Sequence, residues 1–147
     1  MSTTDAPLLL AKRFGYALKR CQHVLRLRMD EVLRPLSLTT PQYAVLSAIE
    51  AEPGISNARL ARTAFVTPQT MQGILANLER NGIITRLPDP LHGRILRSEL
   101  TVHGQETLLK AHRGFSRVEE MMFTSIGAEN VASLTETLSN CADDLSG

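Results

Sequence analysis

The sequence predicts a mainly α-helical protein with one small β-hairpin, and three observations support this fold class. Two short helical segments separated by a tight turn begin at residue 56, and a basic segment containing proline and glycine follows them directly, as far as residue 94. Longer amphipathic helices are predicted at both chain ends. This order of elements is typical of a winged helix-turn-helix, so double-stranded DNA is the expected partner.

The two short helices have recognisable start signals. Ser56 is an N-cap candidate for the first, which carries Leu60 and Ala61. Thr67 is the N-cap candidate for the second, and Pro68 suits its first helical position because the missing N–H is not needed there. Apolar residues then recur at helical spacing, which predicts packing against the preceding helix; they are Met71, Ile74, Leu75 and Leu78.

The side chains on the opposite face of the second helix are short or uncharged. It carries Gln69, Thr70, Gln72 and Asn77. Amides and hydroxyls pair with base edges in the major groove, so this face is predicted to read DNA. A solvated helix face is the alternative for such residues.

A hairpin is predicted after Asn81 and Gly82, with arms at residues 83–87 and 95–100. The tip between the arms, residues 88–94, holds two prolines and a glycine and is predicted to be an unpaired loop ending at Arg94. An arginine on such a tip fits a narrow minor groove. The predicted DNA-binding residues are Ser56, Thr67, Pro68, Gln69, Thr70, Gln72, Gly73, Arg86, His92 and Arg94.

These pieces, in this order, resemble the MarR family of winged helix-turn-helix transcription regulators over nearly the whole chain. The matching segments are Thr-Pro-Gln-Tyr at residues 40–43, Leu60 with Ala61, Leu-Glu-Arg-Asn-Gly-Ile at 78–83, Asp89 with Pro90, Arg94, Leu100 with Thr101, and Gly104. The resemblance implies that the terminal helices interlock in a homodimer. It also implies regulation by small phenolic or aromatic carboxylate effectors, or by oxidants.

The sequence departs from the family pattern at two places. His92 and Gly93 stand where members often have an aspartate followed by a basic residue, so any bracing of Arg94 must come from elsewhere. Gly73 replaces a frequent basic residue in the second helix and costs that helix about 1 kcal/mol relative to alanine. It indicates either close approach to the DNA backbone or a different operator.

A single domain over residues 1–147 is predicted, with dimerisation helices at 8–34 and 102–146 and a DNA-binding lobe at 37–101. Three apolar stripes in the terminal helices need partners. They comprise Leu10, Phe14, Leu18, Cys21, Leu25, Met29 and Val32; Leu108, Phe115, Val118 and Met122; and Val131, Leu134, Leu138, Cys141 and Leu145. A two-fold dimer would meet a pseudo-palindrome with half-sites about one helical turn apart.

The net charge of +1 conceals an uneven distribution. Residues 11–34 hold seven Lys or Arg against two acids, and residues 56–101 hold six against three, whereas residues 115–147 hold one against six. The predicted DNA-binding lobe is therefore basic. No transmembrane helix or secretory signal is recognisable, which predicts a cytoplasmic protein without a membrane partner.

The sequence offers residues for three kinds of effector site. Cys21 and Cys141 lie on apolar stripes, which predicts buried small side chains, and the reactive cysteine of peroxide-sensing relatives matches about Phe14 or Gly15. No two histidines have helical ligand spacing, so no metal and no cofactor are predicted, although a site between helices stays open. A pocket near the first helix would use Tyr16, His23 and Tyr43. The aromatic residues are otherwise expected in the core; they are Phe14, Tyr16, Tyr43, Phe65, Phe115 and Phe123.

The leading functional prediction is a ligand-responsive repressor that binds a pseudo-palindromic operator as a homodimer. The alternatives are a winged-helix module that binds protein and a thiol redox-sensing regulator that uses Cys21. An enzyme is not predicted, because the sequence has no phosphate loop, zinc-hydrolase motif or nucleophile elbow.

Overall fold

The computed structural model describes residues 7–147, so residues 1–6 of the predicted domain lie outside the described residues. The elements in the first half of the chain are α1 (Leu8–Ala11), α2 (Phe14–Leu33), a 3-10 turn (Arg34–Leu36), α3 (Thr40–Ala51) and α4 (Asn57–Thr63). They are followed by α5 (Pro68–Arg80), β1 (Ile84–Pro88), β2 (Leu96–Leu100), α6 (Val102–Ile126), a 3-10 turn (Ala128–Asn130) and α7 (Val131–Ser146). The predicted helical fold with one hairpin is confirmed.

Hydroxyl side chains cap the helices of the central lobe. Ser56 Oγ accepts a hydrogen bond from the Arg59 N–H at 3.3 Å, and Thr67 Oγ1 accepts one from the Thr70 N–H at 3.1 Å. Thr39 caps α3 in a capping box with Gln42. Both N-caps predicted from the sequence are therefore confirmed.

One apolar core joins α3, α4, α5 and β1 to the ends of α2 and α6. Its fully buried large side chains are Leu33, Leu46, Ile49, Leu60, Met71, Leu75, Leu78, Ile84 and Leu108. The predicted stripe of α5 therefore faces this core, with Ile74 at its half-buried margin. Two glycines permit close packing of α6: a Cβ at Gly104 would collide with the Ile83 carbonyl, and one at Gly114 with the Val32 side chain.

The terminal helices leave much of their apolar surface uncovered. Only Met29 and Leu33, at the end of α2, are buried, whereas Phe14 is 71% exposed. α7 has no buried residue at all among its 16 residues. Cys21 is exposed and Cys141 half-buried, so the prediction of a buried Cys21 is wrong for the described residues of a single chain, because Cys21 lies in the wall of a cleft between α2 and α6. No helix within residues 7–147 is long and apolar enough to span a bilayer.

The hairpin extends further towards its tip than predicted. Pro88 is paired with Leu96, and the Asp89 N–H donates to the Ile95 carbonyl at 2.7 Å. Proline is tolerated there because it ends a strand of a two-stranded sheet. The unpaired part of the tip is therefore shorter than residues 88–94.

Phe65 lies in the turn between α4 and α5 and is 94% exposed, which contradicts its predicted place in the core, as does the exposure of Phe14. Its φ of 57° is left-handed. This backbone turns the side chain outward, while the next residue, Val66, packs against the core. Phe65 therefore combines an unfavourable backbone conformation with no burial in the described chain.

Replacing Phe65 with glycine should raise the free energy of unfolding by about 1 kcal/mol, because glycine adopts left-handed backbone without steric cost. Urea unfolding followed by circular dichroism would measure the change. Leu91→Gly is the matched control, since Leu91 is 85% exposed but has no positive φ, and it should give no gain. A Phe65→Gly protein no more stable than the wild type would contradict the interpretation.

Candidate nucleic-acid interface and adjoining cleft

The first two turns of α5 present a continuous polar face. Gln69, Thr70, Gln72 and Gly73 are all exposed, opposite the buried stripe of the same helix. Thr67 uses its hydroxyl to cap the helix and to donate to Thr70 Oγ1 at 3.0 Å. The amides of Gln69 and Gln72 make no such bonds with any residue from 7 to 147, which leaves donors and acceptors of both side chains available for base edges.

Gly73 borders open space. A Cβ built on it would meet nothing within 4 Å, so packing within this chain does not require glycine. The described residues therefore give no packing reason for glycine at this position.

Asn77 does not belong to this exposed face. Its Oδ1 accepts hydrogen bonds from Gln42 Nε2 at 3.1 Å and from Asn81 Nδ2 at 3.2 Å. Gln42 is only 9% exposed and lies on α3. The predicted polar face therefore ends at Gly73, and Asn77 ties α5 to α3.

The hairpin tip is organised by Asp89, which is only 8% exposed. Its Oδ1 accepts from the N–H groups of Leu91 at 2.7 Å and His92 at 3.1 Å, and its Oδ2 accepts from Arg97 Nε at 2.6 Å. The Leu91 N–H chiefly, and then Arg97, hold the pKa of Asp89 below its ordinary value. Sequence reasoning noted Asp89 as a family match but missed this role.

Arg94 and His92 are exposed at the tip. Arg94 makes no hydrogen bond or ion pair with any residue that the structure describes. The loop that carries Arg94 is thus braced through Asp89 and Arg97, whereas the guanidinium of Arg94 itself stays available for an anionic partner.

Arg86 has a partner within the chain. Its Nη2 lies 3.1 Å from Glu79 Oε1, and its side chain is only 15% exposed. The pair joins the end of α5 to β1. Arg86 therefore positions the hairpin relative to the helix, and of the predicted DNA-binding residues it is the one most engaged inside the protein.

A cleft of about 820 Å³ lies beside this lobe, between α2, α3 and α6. Its walls include Leu25, Met29, Ala44, Ala48 and Phe115, with Thr63 at the end of α4. Tyr43 lines the cleft as expected, but Tyr16 and His23 do not. His112 of α6, rather than His23, is the histidine in its wall, and a ligand-binding role for Tyr16, His23 and Tyr43 stays a prediction.

Tyr43 is the most constrained polar group of the cleft. Its hydroxyl lies 2.7 Å from His112 Nδ1, and its ring makes edge contacts with the rings of His112 and Phe115. Burial raises the pKa of Tyr43; Glu119 and Glu50 add to this, while a hydrogen bond with Ser47 acts against it. Tyr43 is therefore a neutral phenol at physiological pH.

Similarity to known proteins identifies the family of this chain. A sequence profile of the MarR family matches residues 36–95. The chain is 40% identical over 107 residues to the HTH-type transcriptional repressor Rv2887 of Mycobacterium tuberculosis, with 73% of each chain covered. The chain belongs to the MarR family.

Solved structures agree with this assignment. The MarR family protein Rv2887 in complex with salicylic acid matches with a TM-score of 0.70 and 32% identity, covering 95% of this chain and 99% of that one. The transcriptional repressor CouR, bound to a 23-mer DNA duplex, matches with a TM-score of 0.82 and 27% identity, covering 97% and 98%. MarR family regulators are DNA-binding proteins without enzymatic activity, in agreement with the prediction of no enzyme.

Metal and thiol sites are the two other kinds of sensor site that the sequence raised for this MarR protein. No three potential metal-ligating side chains come together within residues 7–147. Cys21 lines a second, smaller cleft of about 310 Å³ with Arg28, Val118 and Met122. Its proposed redox role stays a prediction.

Asp89→Ala should loosen the wing tip without unfolding the helical lobe, because it removes three hydrogen bonds confined to the hairpin. Amide hydrogen exchange at Leu91 and His92 should accelerate, while the helical circular dichroism stays unchanged. Since the folded-state pKa of Asp89 is lowered, its contribution should be complete above the ordinary carboxyl range near pH ~3.9 and be lost as the pH falls through the lowered value.

Glu99→Ala is the control for this experiment, because Glu99 is an exposed carboxylate on β2. It should leave the exchange of both amides unchanged. Equal exchange in Asp89→Ala and the wild type would show that the carboxylate does not hold the tip.

Proposed function

We propose that this MarR protein is a homodimeric repressor that binds a pseudo-palindromic operator and releases it when a small aromatic ligand occupies the cleft. The observation that carries the proposal is the joint geometry of two surfaces. The N-terminal half of α5 presents uncharged amides and hydroxyls, and a braced wing tip presents the unpaired guanidinium of Arg94.

The two surfaces suit different parts of a DNA duplex. Gln69, Thr70 and Gln72 have the donors and acceptors that read base edges in a major groove. Arg94 has the charge that fits an adjacent minor groove or phosphate. Ser56 and Thr67 lie at helix N-termini, where backbone N–H groups favour phosphate oxygens. Because the proposed partner is chromosomal DNA, we place the protein in the cytoplasm.

A second copy of the chain is the proposed cover for the terminal helices. Phe14 and Leu18 of α2 and Leu134 and Leu138 of α7 are between 38% and 71% exposed, and they recur at helical spacing. Such continuous apolar faces mark interaction surfaces. Two-fold pairing of these helices would set the two copies of α5 about one DNA turn apart.

The repressor and effector parts of the proposal are supported by relatives. Rv2887 is named a transcriptional repressor and has been solved with salicylic acid and, separately, with DNA. The cleft of the present chain has apolar walls and a few polar groups, as small-molecule sites have. We therefore propose an aromatic carboxylate or phenol as the effector class.

Titration of the full-length protein into duplexes tiled across the DNA upstream of its own gene tests the proposal. One duplex should bind about 1,000-fold more tightly than scrambled DNA, with affinity falling steeply as salt rises. Arg94→Ala should weaken binding and lower the salt slope by about 1. Arg117→Ala removes the same charge from an exposed site on α6 and should change neither. Equal binding to every duplex would favour a protein-interaction module instead.

Gln72→Ala should cost on the order of 1–3 kcal/mol of binding free energy and relax discrimination at one base position. Competition between the preferred duplex and its single-base variants measures this. Gln105→Ala, an exposed glutamine on α6, is the control. If Gln72→Ala weakened all sequences alike, the side chain would contact phosphate rather than a base.

A further inference from the structure

Three side chains form a hydrogen-bonded chain in the wall of the cleft. Glu50 Oε1 lies 2.9 Å from His112 Nε2, and His112 Nδ1 lies 2.7 Å from the Tyr43 hydroxyl. Tyr43 and His112 line the cleft, while the Glu50 side chain is half exposed at its outer end. The chain thus connects a ligand-facing phenol to a solvent-facing carboxylate through one imidazole.

When His112 is neutral, the hydrogen bonds among Tyr43, His112 and Glu50 can run in only one direction. A carboxylate only accepts hydrogen bonds, so the single imidazole proton must lie on Nε2 and be donated to Glu50. Nδ1 then accepts the O–H of Tyr43. In this state the Tyr43 hydroxyl proton is committed to His112, and the phenol offers only lone pairs to a ligand.

When His112 is protonated, the hydrogen bond between His112 and Tyr43 reverses its direction. Both ring nitrogens then donate, Nε2 to Glu50 and Nδ1 to the Tyr43 oxygen. The Tyr43 O–H is released and can point into the cleft. Tyr43 becomes a donor, and a donor is what a ligand carboxylate requires.

The charges around the chain favour the protonated state once an anion is bound. Arg26 of α2 and Glu119 of α6 are the charged residues among those that line the cleft. Two further acids contact residues that line the cleft: Glu50 is hydrogen-bonded to His112, and Asp30 accepts from Thr40 Oγ1 at 3.1 Å. A bound carboxylate would add to these three acids against one arginine, so a positive imidazole stabilises the complex.

We propose that binding of an aromatic carboxylate in the cleft is coupled to uptake of one proton by His112, which turns Tyr43 from an acceptor into a donor. The inference rests on the effector class proposed above and adds its regulation by pH. Effector affinity should rise as the pH falls, by at most about tenfold per pH unit, which is the limit for uptake of one proton. A neutral phenol without a carboxylate should not show this coupling.

Calorimetric titration of the full-length protein with sodium salicylate tests the coupling. The titration is repeated near pH ~7 in buffers of different ionisation enthalpy, since the dependence of the observed heat on the buffer gives the number of protons exchanged. We expect net proton uptake on binding in the wild type. His112→Gln should bind salicylate with uptake near zero and with an affinity that does not vary with pH.

Two further variants separate the coupling from a folding defect. Tyr43→Phe keeps the imidazole but removes the hydroxyl, and its uptake should fall as well. His103→Gln removes an exposed histidine from the same helix outside this cleft and should keep the wild-type uptake. Circular dichroism and operator binding in the absence of ligand check that each variant is folded.

Binding without proton uptake in the wild type, or uptake that persists in His112→Gln, would overturn the inference while leaving the effector proposal intact. If salicylate, benzoate and 4-hydroxybenzoate all fail to bind, the inference falls together with the carboxylate part of the proposed effector class, and phenol binding decides the rest. The DNA-binding part of the proposed function is decided separately by the duplex titrations.

Discussion

The complete burial of one face of α5 is the constraint on which the DNA-facing surface depends. Met71, Leu75 and Leu78 are at most 1% exposed, and burying three such side chains stabilises the fold by several kcal/mol. A rotation of α5 about its axis would expose this stripe. The rotation of the helix is therefore fixed, and with it the identity of the side chains that meet solvent: Gln69, Thr70, Gln72 and Gly73.

The wing is held to this helix by polar contacts of a different kind. Arg86 pairs with Glu79 at the end of α5, and Asp89 gathers two backbone N–H groups and Arg97 at the tip. Hydrogen bonds to a charged group are short and directional, so they fix a loop that has no apolar core of its own. These contacts fix the tip that carries Arg94, whose own side chain makes no hydrogen bond or ion pair with any described residue.

Much of this organisation could be read from local sequence, and what could not depends on distant contacts. Thr67 and Pro68 marked the start of α5 because capping is a matter of adjacent residues. His112 was missed because its partner Tyr43 is 69 residues away and only helix packing brings them together. Phe65 was misplaced because its residue type favours burial, whereas the left-handed turn directs it outward. Cys21 lies on the predicted apolar stripe of α2, but residues 7–147 leave it exposed, and local sequence does not show which surface covers a stripe.

The first turn of α3 links the two halves of the proposed mechanism. Thr40 and Tyr43 line the cleft, and Gln42, which lies between them in sequence, faces the other way and donates to Asn77 of α5. Gln42 also closes the capping box with Thr39, so its position is tied to the start of α3. A ligand that displaces this turn would shift a partly buried hydrogen bond between Gln42 and Asn77 of the DNA-facing helix. Leaving the amide groups of Gln42 and Asn77 without a partner costs more free energy than a small movement of α5. Helix α5 would therefore move with α3 rather than separate from it. Proton uptake at His112 would act on the same turn, because Tyr43 lies one residue beyond Gln42.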